Sequence, residues 1–260
     1  MERIDLSAAP SSAMTLMIYG APGTGKSTLL AGLAKAAENH QRSALLIDTE
    51  RGLYSAAREV GLSQTVLLSA TSNGDGKAVL EEIKNQITID NPSGLVAVDT
   101  MSELSELILR EATGLLDTPQ LQHYGTRKAM LARSIRALRD AAGSGVPAVA
   151  TFQQEAKEIE GLTGHWRPSI PEKSTVDAIG QFDCVARLRI VAEHEAERLN
   201  LEPSTRYLDF RPSNQQTAKC RTAKELFGDR DAGWHIWPSR NQADLDSLYA
   251  GLARIKKEGA

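Results

Sequence analysis

Thr15-Leu16-Met17-Ile18-Tyr19-Gly20-Ala21-Pro22-Gly23-Thr24-Gly25-Lys26-Ser27-Thr28 is the stretch that decides how this chain is read. Its first five residues are an apolar run of strand length. Gly20 to Ser27 keep the spacing G-x-x-x-x-G-K-S, and Lys26 opens a helical pattern whose apolar face is Leu29, Leu30, Leu33 and Ala37. A strand that runs into a glycine-rich loop and then a helix is the context that gives this spacing meaning. The glycines let successive backbone N–H groups turn toward an anion, and the helix N-terminus adds partial positive charge. Gly20, Ala21, Pro22, Gly23, Thr24, Gly25, Lys26, Ser27 and Thr28 are therefore read as a cradle for nucleotide phosphates. ATP is the expected ligand and Mg2+ its companion ion. Lys26 is placed to reach the β- and γ-phosphates, and the Ser27 hydroxyl to complete the Mg2+ shell.

Outward from the loop, strands and helices alternate. Apolar runs at 43–48, 65–69, 94–99 and 146–152 read as strands, the last ending at Gln153-Gln154. Helices are expected at about 78–89, 101–112 and 125–142, with Leu131, Ile135 and Leu138 facing inward on the last. This alternation predicts an α/β chain with a mostly parallel central sheet and helices on both faces. Residues 155–175 break the pattern and read as a polar, irregular loop. Strand-like runs return at 184–191, 207–210 and 216–220. Leu245, Leu248, Tyr249, Leu252 and Ile255 mark a closing amphipathic helix. The expected division is a loose leader over 1–13, a core over 14–240, and a C-terminal helix over 241–260 packed on that core or extending it.

Composition narrows the classes. The chain has 260 residues, 41% hydrophobic and 24% charged, ordinary values for a globular protein. No apolar run approaches the ~18 residues of a membrane span. Met1-Glu2-Arg3-Ile4-Asp5 lacks a signal-peptide core, and Cys184 and Cys220 make no disulfide framework, so a cytoplasmic setting is expected. The net charge of −3 argues against a protein that coats nucleic acid along its whole surface.

Acidic residues complete the nucleotide site. Asp99 ends an apolar strand, where a carboxylate lies beside the phosphates of an open α/β sheet and can hold Mg2+ through water. Hydrolysis also needs a group to orient or deprotonate water. Thr100 follows Asp99, so no glutamate stands directly after it. Glu50, in Asp48-Thr49-Glu50, is read as the base, with Glu103 as its competitor.

Taken in order, the phosphate loop, the strands ending in Asp48-Thr49-Glu50 and Asp99-Thr100, and the strand ending in Gln153-Gln154 resemble the RecA-like P-loop ATPases over roughly residues 14–221. The resemblance implies that Glu50 activates water and that a strand-end glutamine senses the γ-phosphate. Gln153 and Gln154 both remain candidates, Gln154 aligning slightly better. Gln122-His123-Tyr124-Gly125 resembles phage and prophage AAA-type ATPases built from the RecA core alone, a group that includes single-strand annealing recombinases. Lys219-Cys220-Arg221 resembles the Lys-x-Arg pair of hexameric helicases and KaiC-type ATPases, which reaches the γ-phosphate bound by a neighbouring subunit. Strand alternation puts Lys219 and Arg221 on one face. The other reading is an edge strand guarded by two cations.

The loop at 155–175 stands where RecA-like proteins meet single-stranded DNA. Lys157, His165, Trp166, Arg167 and Lys173 are the candidate contacts, by stacking and phosphate pairing. Glu155, Glu158, Glu160 and Glu172 offset their charge, so a nucleotide-responsive loop without a DNA role stays open. Arg133, Arg136 and Arg139 read as a solvated helix face. The leading expectation is a phage-type recombinase that assembles on single-stranded DNA with active sites shared between identical subunits. A ring-forming helicase or translocase and a KaiC-like regulatory ATPase without DNA are the alternatives.

Overall fold

The computed structural model describes residues 12–255 apart from 73, 89–92, 160–161, 222–225, 228–235 and 240. β1 (Thr15–Gly20) leads through the glycine-rich loop into α1 (Lys26–Asn39). β2 (Ala44–Asp48), α2 (Leu53–Glu59), β3 (Val66–Ser69), α3 (Asp75–Thr88), β4 (Leu95–Asp99), α4 (Met101–Thr113), α5 (Leu121–Gly143) and β5 (Ala148–Ile159) follow. The chain goes on through β6 (Leu162–Pro168), α6 (Glu172–Gln181), β7 (Cys184–Ile190), α7 (Glu193–Leu199), β8 (Arg206–Asp209), β9 (Lys219–Cys220), β10 (Ile236–Pro238) and α8 (Gln242–Leu252).

Eight strands lie side by side in the order β10-β8-β7-β1-β5-β4-β2-β3, with β6 added to β5 and β9 to β7. The six from β3 to β7 run parallel, and β8 and β10 are antiparallel to their neighbours. β1, β2 and β4 are buried at every position, as continuous apolar runs require of strands covered on both faces. Met17, Tyr19, Val96 and Val98 point into a core closed by α3, α4, α5 and α6. Leu16, Ile18, Leu46 and Ala97 point into the other, closed by α1 and α8. The expected α/β architecture is therefore present.

Three local expectations change. The long helix begins at Leu121 rather than near Gly125, because Gln120 caps it in a reciprocal box with His123, whose Nδ1 accepts the Gln120 N–H at 2.9 Å. Gln122-His123-Tyr124-Gly125 is thus its first turn. The segment 155–175 is not irregular: β5 continues to Ile159 and returns as β6, and α6 follows. Cross-strand pairing, including a 2.6 Å ion pair from Arg167 to Glu155, outweighs the segment's polar composition. The run at 216–220 is strand only at Lys219-Cys220, and α7 and β10 had no signal in the sequence pattern.

Of the expected leader, residues 1–11 lie outside the described residues. Ala13 is buried, and Met14 N–H donates to Leu252 O at 2.8 Å, so the start of the core is tied to the end of α8. Among the described residues no helix is long and apolar enough to cross a membrane. α8 packs on α1 through Leu245, Leu248, Tyr249 and Leu252, and the Tyr249 hydroxyl donates to Gly94 O at 2.9 Å. The C-terminal helix therefore closes one of the two cores. Leu248→Ala, at a fully buried position, is expected to cost about 2–5 kcal/mol, read as a lowered urea midpoint.

Candidate active site

Parallel strands deliver their carboxyl ends to one edge of the sheet, and that edge is where the expected site residues meet. Gly20 is in register with Gln153, and Asp48 with Asp99. The loop after Gly20 turns at Gly23 (φ 77°) and Gly25 (φ 95°), left-handed conformations that a side chain would strain. Thr24 closes the loop by donating its hydroxyl to Ala21 O at 2.8 Å.

Lys26 is almost wholly buried and folds over its own loop. Its Nζ donates to Gly20 O (3.0 Å), Ala21 O (3.1 Å) and Gln153 Oε1 (3.2 Å). Burial lowers its pKa, opposed by the charges of Asp99 and Glu50. Asp99 is buried beside it. Its Oδ2 accepts from Ser27 Oγ at 2.6 Å, and its Oδ1 accepts from the Thr151 hydroxyl. Burial raises the Asp99 pKa, the two hydroxyls pull it down, and Glu50 and Asp48 push it up again. A hydroxyl and a buried carboxylate in contact, with two further carboxylates close enough to be felt, is a donor set that fits Mg2+. No cluster of three or more His, Cys, Asp or Glu that could enclose a metal exists among the described residues.

Glu50 sits on the turn after β2. Its Oε1 accepts from Thr100 Oγ1 at 2.8 Å and from Gln153 Nε2 at 2.9 Å. The turn is fixed by Asp48, whose carboxylate accepts the N–H groups of Glu50, Gly52 and Leu53. The competitor Glu103 lies in the first turn of α4 and pairs with Arg110 at 2.5 Å. Among the two glutamines, only Gln153 enters the site, where one amide spans Lys26 and Glu50. Gln154 points to the other face of the sheet, as the next residue of a strand must, and its Oε1 accepts from Arg187 Nε at 3.2 Å. The structure thus sets Gln153, and not the slightly preferred Gln154, beside Lys26 and Glu50.

Lys219 and Arg221 lie away from this chain's own phosphate loop. β9 pairs with Cys184 and Val185, which register with Leu16 and Met17 at the far end of β1. Arg221 is exposed and donates to Gly180 O at 3.1 Å. Burial, with Arg221 beside it, pushes the Lys219 ammonium down to about 8. The candidate DNA contacts are engaged inside the fold. Arg167 pairs with Glu155, the His165 ring meets Asn214 O (3.0 Å) and Thr217 Oγ1 (2.9 Å), and Trp166 packs on the core beneath Arg187. Lys157 stands opposite His165 in the hairpin, and the Lys173 side chain lies outside those described. Arg133, Arg136 and Arg139 are exposed.

Sequence reasoning missed Thr100 and Thr151, which hold the two carboxylates, and Arg206. The Arg206 Nε donates to Thr24 O at 3.1 Å, and its side chain lies within 2.7 Å of where a Cβ on Gly25 would stand. No motif marks it: the arginine comes from β8, distant in sequence from the loop it touches.

The profile of the family described as AAA domain matches residues 12–222. No curated protein matches the chain. Among solved structures, the KaiC-like protein of the hyperthermophilic archaeon Pyrococcus horikoshii shares 15% identity, with 86% of this chain and 84% of that one covered, at a TM-score of 0.49.

Two tests follow from the geometry. Gln153→Ala should lower ATP turnover at least tenfold while Gln154→Ala leaves it within a few-fold, measured by phosphate release. Lys219 is cationic below its pKa of about 8. Its ammonium should therefore lose its charge between pH 7 and 9, below the range of an exposed lysine, as read by NMR titration of the side chain.

Proposed function

As a member of the AAA domain family the chain is a P-loop ATPase, and we propose that it is a RecA-like one that hydrolyses ATP in a homo-oligomer and couples hydrolysis to single-stranded DNA. One observation carries the coupling. The Gln153 amide joins Lys26 to Glu50, and the same residue lies on the strand that continues into the β5–β6 hairpin. A γ-phosphate that draws Lys26 off Gln153 changes the hydrogen bonding at the root of that hairpin. The hairpin is then the element that reports nucleotide state.

The roles follow from position. Backbone N–H groups of the loop and the Lys26 ammonium take the β- and γ-phosphates. Ser27 and Asp99 would hold Mg2+, which would neutralise phosphate charge there. Glu50, oriented by Thr100, takes the proton of the attacking water. Lys219 and Arg221, remote from their own loop, serve a neighbour's site, where a cation supplied in trans stabilises charge on the transferred phosphoryl group. A KaiC-like regulatory ATPase without DNA is the second reading. It is favoured by the internal partners of His165, Trp166 and Arg167.

Glu50→Gln keeps the shape of the side chain and removes the base. ATP should still bind, and turnover should drop by about 10²–10⁴. Parental turnover in that variant, with loss in Glu103→Gln, transfers the role to Glu103. Phosphate release with and without an oligo-dT strand separates the two readings. A several-fold rise supports DNA coupling, and an unchanged rate supports the regulatory ATPase.

A further inference from the structure

On the face of β7 and β8 turned away from α1, the strands, the hairpin and residues 211–216 enclose an open cleft of about 610 Å³. Four arginines line it, Arg187, Arg189, Arg198 and Arg211, against two carboxylates, Glu195 and Asp209. An excess of two positive charges in one cleft is out of character for a chain whose net charge is −3.

The pairing within the cleft is unequal. Arg189 makes bonds of 2.9 and 3.0 Å to Glu195, Arg198 shares that carboxylate at 3.2 Å, and Arg211 holds Asp209 at 2.6 Å. Arg187 has no carboxylate within ion-pair distance among the described residues. Its guanidinium is half-buried, donates to the neutral Gln154 amide, and lies 4.6 Å from the centroid of the Trp166 ring. Burial holds its pKa below the ordinary arginine value. Removing a guanidinium from water without a counter-charge is costly. A ring face and an amide fix its position, and only the more distant charge of Asp209, already bonded to Arg211, offsets its own.

The cleft is separate from the phosphate loop. Leu188 lies under Gly20, in the core formed with α1. Alternation along β7 sends Arg187 and Arg189 to the opposite side of the sheet. Planar guanidinium forks suit phosphate oxygens better than point charges do. We propose that this cleft is a second phosphate-binding site, filled by the phosphates of a single nucleic-acid strand or of a free polyphosphate. The inference holds whether or not the hairpin side chains themselves meet DNA, and it does not depend on Glu50 being the base.

Binding is measured on the full-length protein with the phosphate loop saturated by Mg-ADP, which also reports separately whether that loop takes nucleotide. The probes are a fluorescein-labelled oligo-dT, followed by anisotropy, and inorganic tripolyphosphate, followed by calorimetry. Arg187→Glu should weaken the bound probe at least tenfold. Arg187→Lys should recover part of the loss. Arg198→Glu, on a side chain 65% exposed at the cleft mouth, tests the charge without disturbing packing and should weaken binding several-fold while basal ATPase stays unchanged. For oligo-dT, each lost phosphate contact should reduce the salt slope by about 1. Loss confined to oligo-dT identifies a strand as the source, and loss confined to tripolyphosphate a free anion. If neither probe binds the parent protein, or if Arg187→Glu and Arg198→Glu both bind as the parent does, the arginines are a structural ion-pair network and the proposal is overturned.

Discussion

A buried carboxylate and a buried ammonium, Asp99 and Lys26, stand at the edge where the parallel strands end, and each is satisfied by neutral groups. Two hydroxyls serve Asp99, and two loop carbonyls and an amide serve Lys26. Desolvation pushes both pKa values toward the neutral forms. Such a site is built to gain from opposite charges arriving together, which is what a nucleotide with its cation brings. The register of β1, β2, β4 and β5 sets Asp48 beside Asp99 and Gly20 beside Gln153, two residues further along the sheet, so the two cores that clamp the sheet also hold the chemistry in place.

Strand alternation then divides neighbouring residues between the two faces of the sheet. Gln153 and Gln154 are adjacent in sequence, yet one amide bridges Lys26 and Glu50 while the other meets Arg187. Leu188 supports the phosphate loop while its neighbours Arg187 and Arg189 face the arginine cleft. β5 and β7 therefore each carry one residue set for the nucleotide and another for the opposite side. Trp166 links the two strands on that side, packing beneath Arg187, and the Tyr19 hydroxyl donates to Thr217 O at 2.7 Å to hold residues 211–217 over the sheet.

Sequence reasoning was strongest where the signal is local. The glycine spacing, the apolar strand before it and the helical period after it lie within about one turn or strand of one another, so β1, the loop and α1 were legible, as were β2, β4 and α4. It was weakest where pairing overrides composition. Residues 155–175 carry charges that suggest a loop, but Glu155 opposite Arg167 and Ala156 opposite Trp166 make a hairpin that no single strand of it announces. The start of α5 was misplaced because Gln120 and His123 form an N-cap from residue types outside the usual set.

The sequence by itself determined the fold class, the phosphate loop, the acidic strand ends and a short set of candidates for each role, because spacing and periodicity are properties of neighbouring residues. Only the tertiary structure turned Gln153 toward Lys26 and Gln154 toward Arg187, tied Glu103 to Arg110 and set Lys219 and Arg221 at the far end of β1. It also brought Arg206 onto the loop and gathered four arginines around one cleft. Each of those outcomes depends on which strands lie side by side and on which face a residue emerges. Register and facing are fixed by burial of the whole sheet, an energy summed over residues far apart in the chain, and no short stretch of sequence contains it.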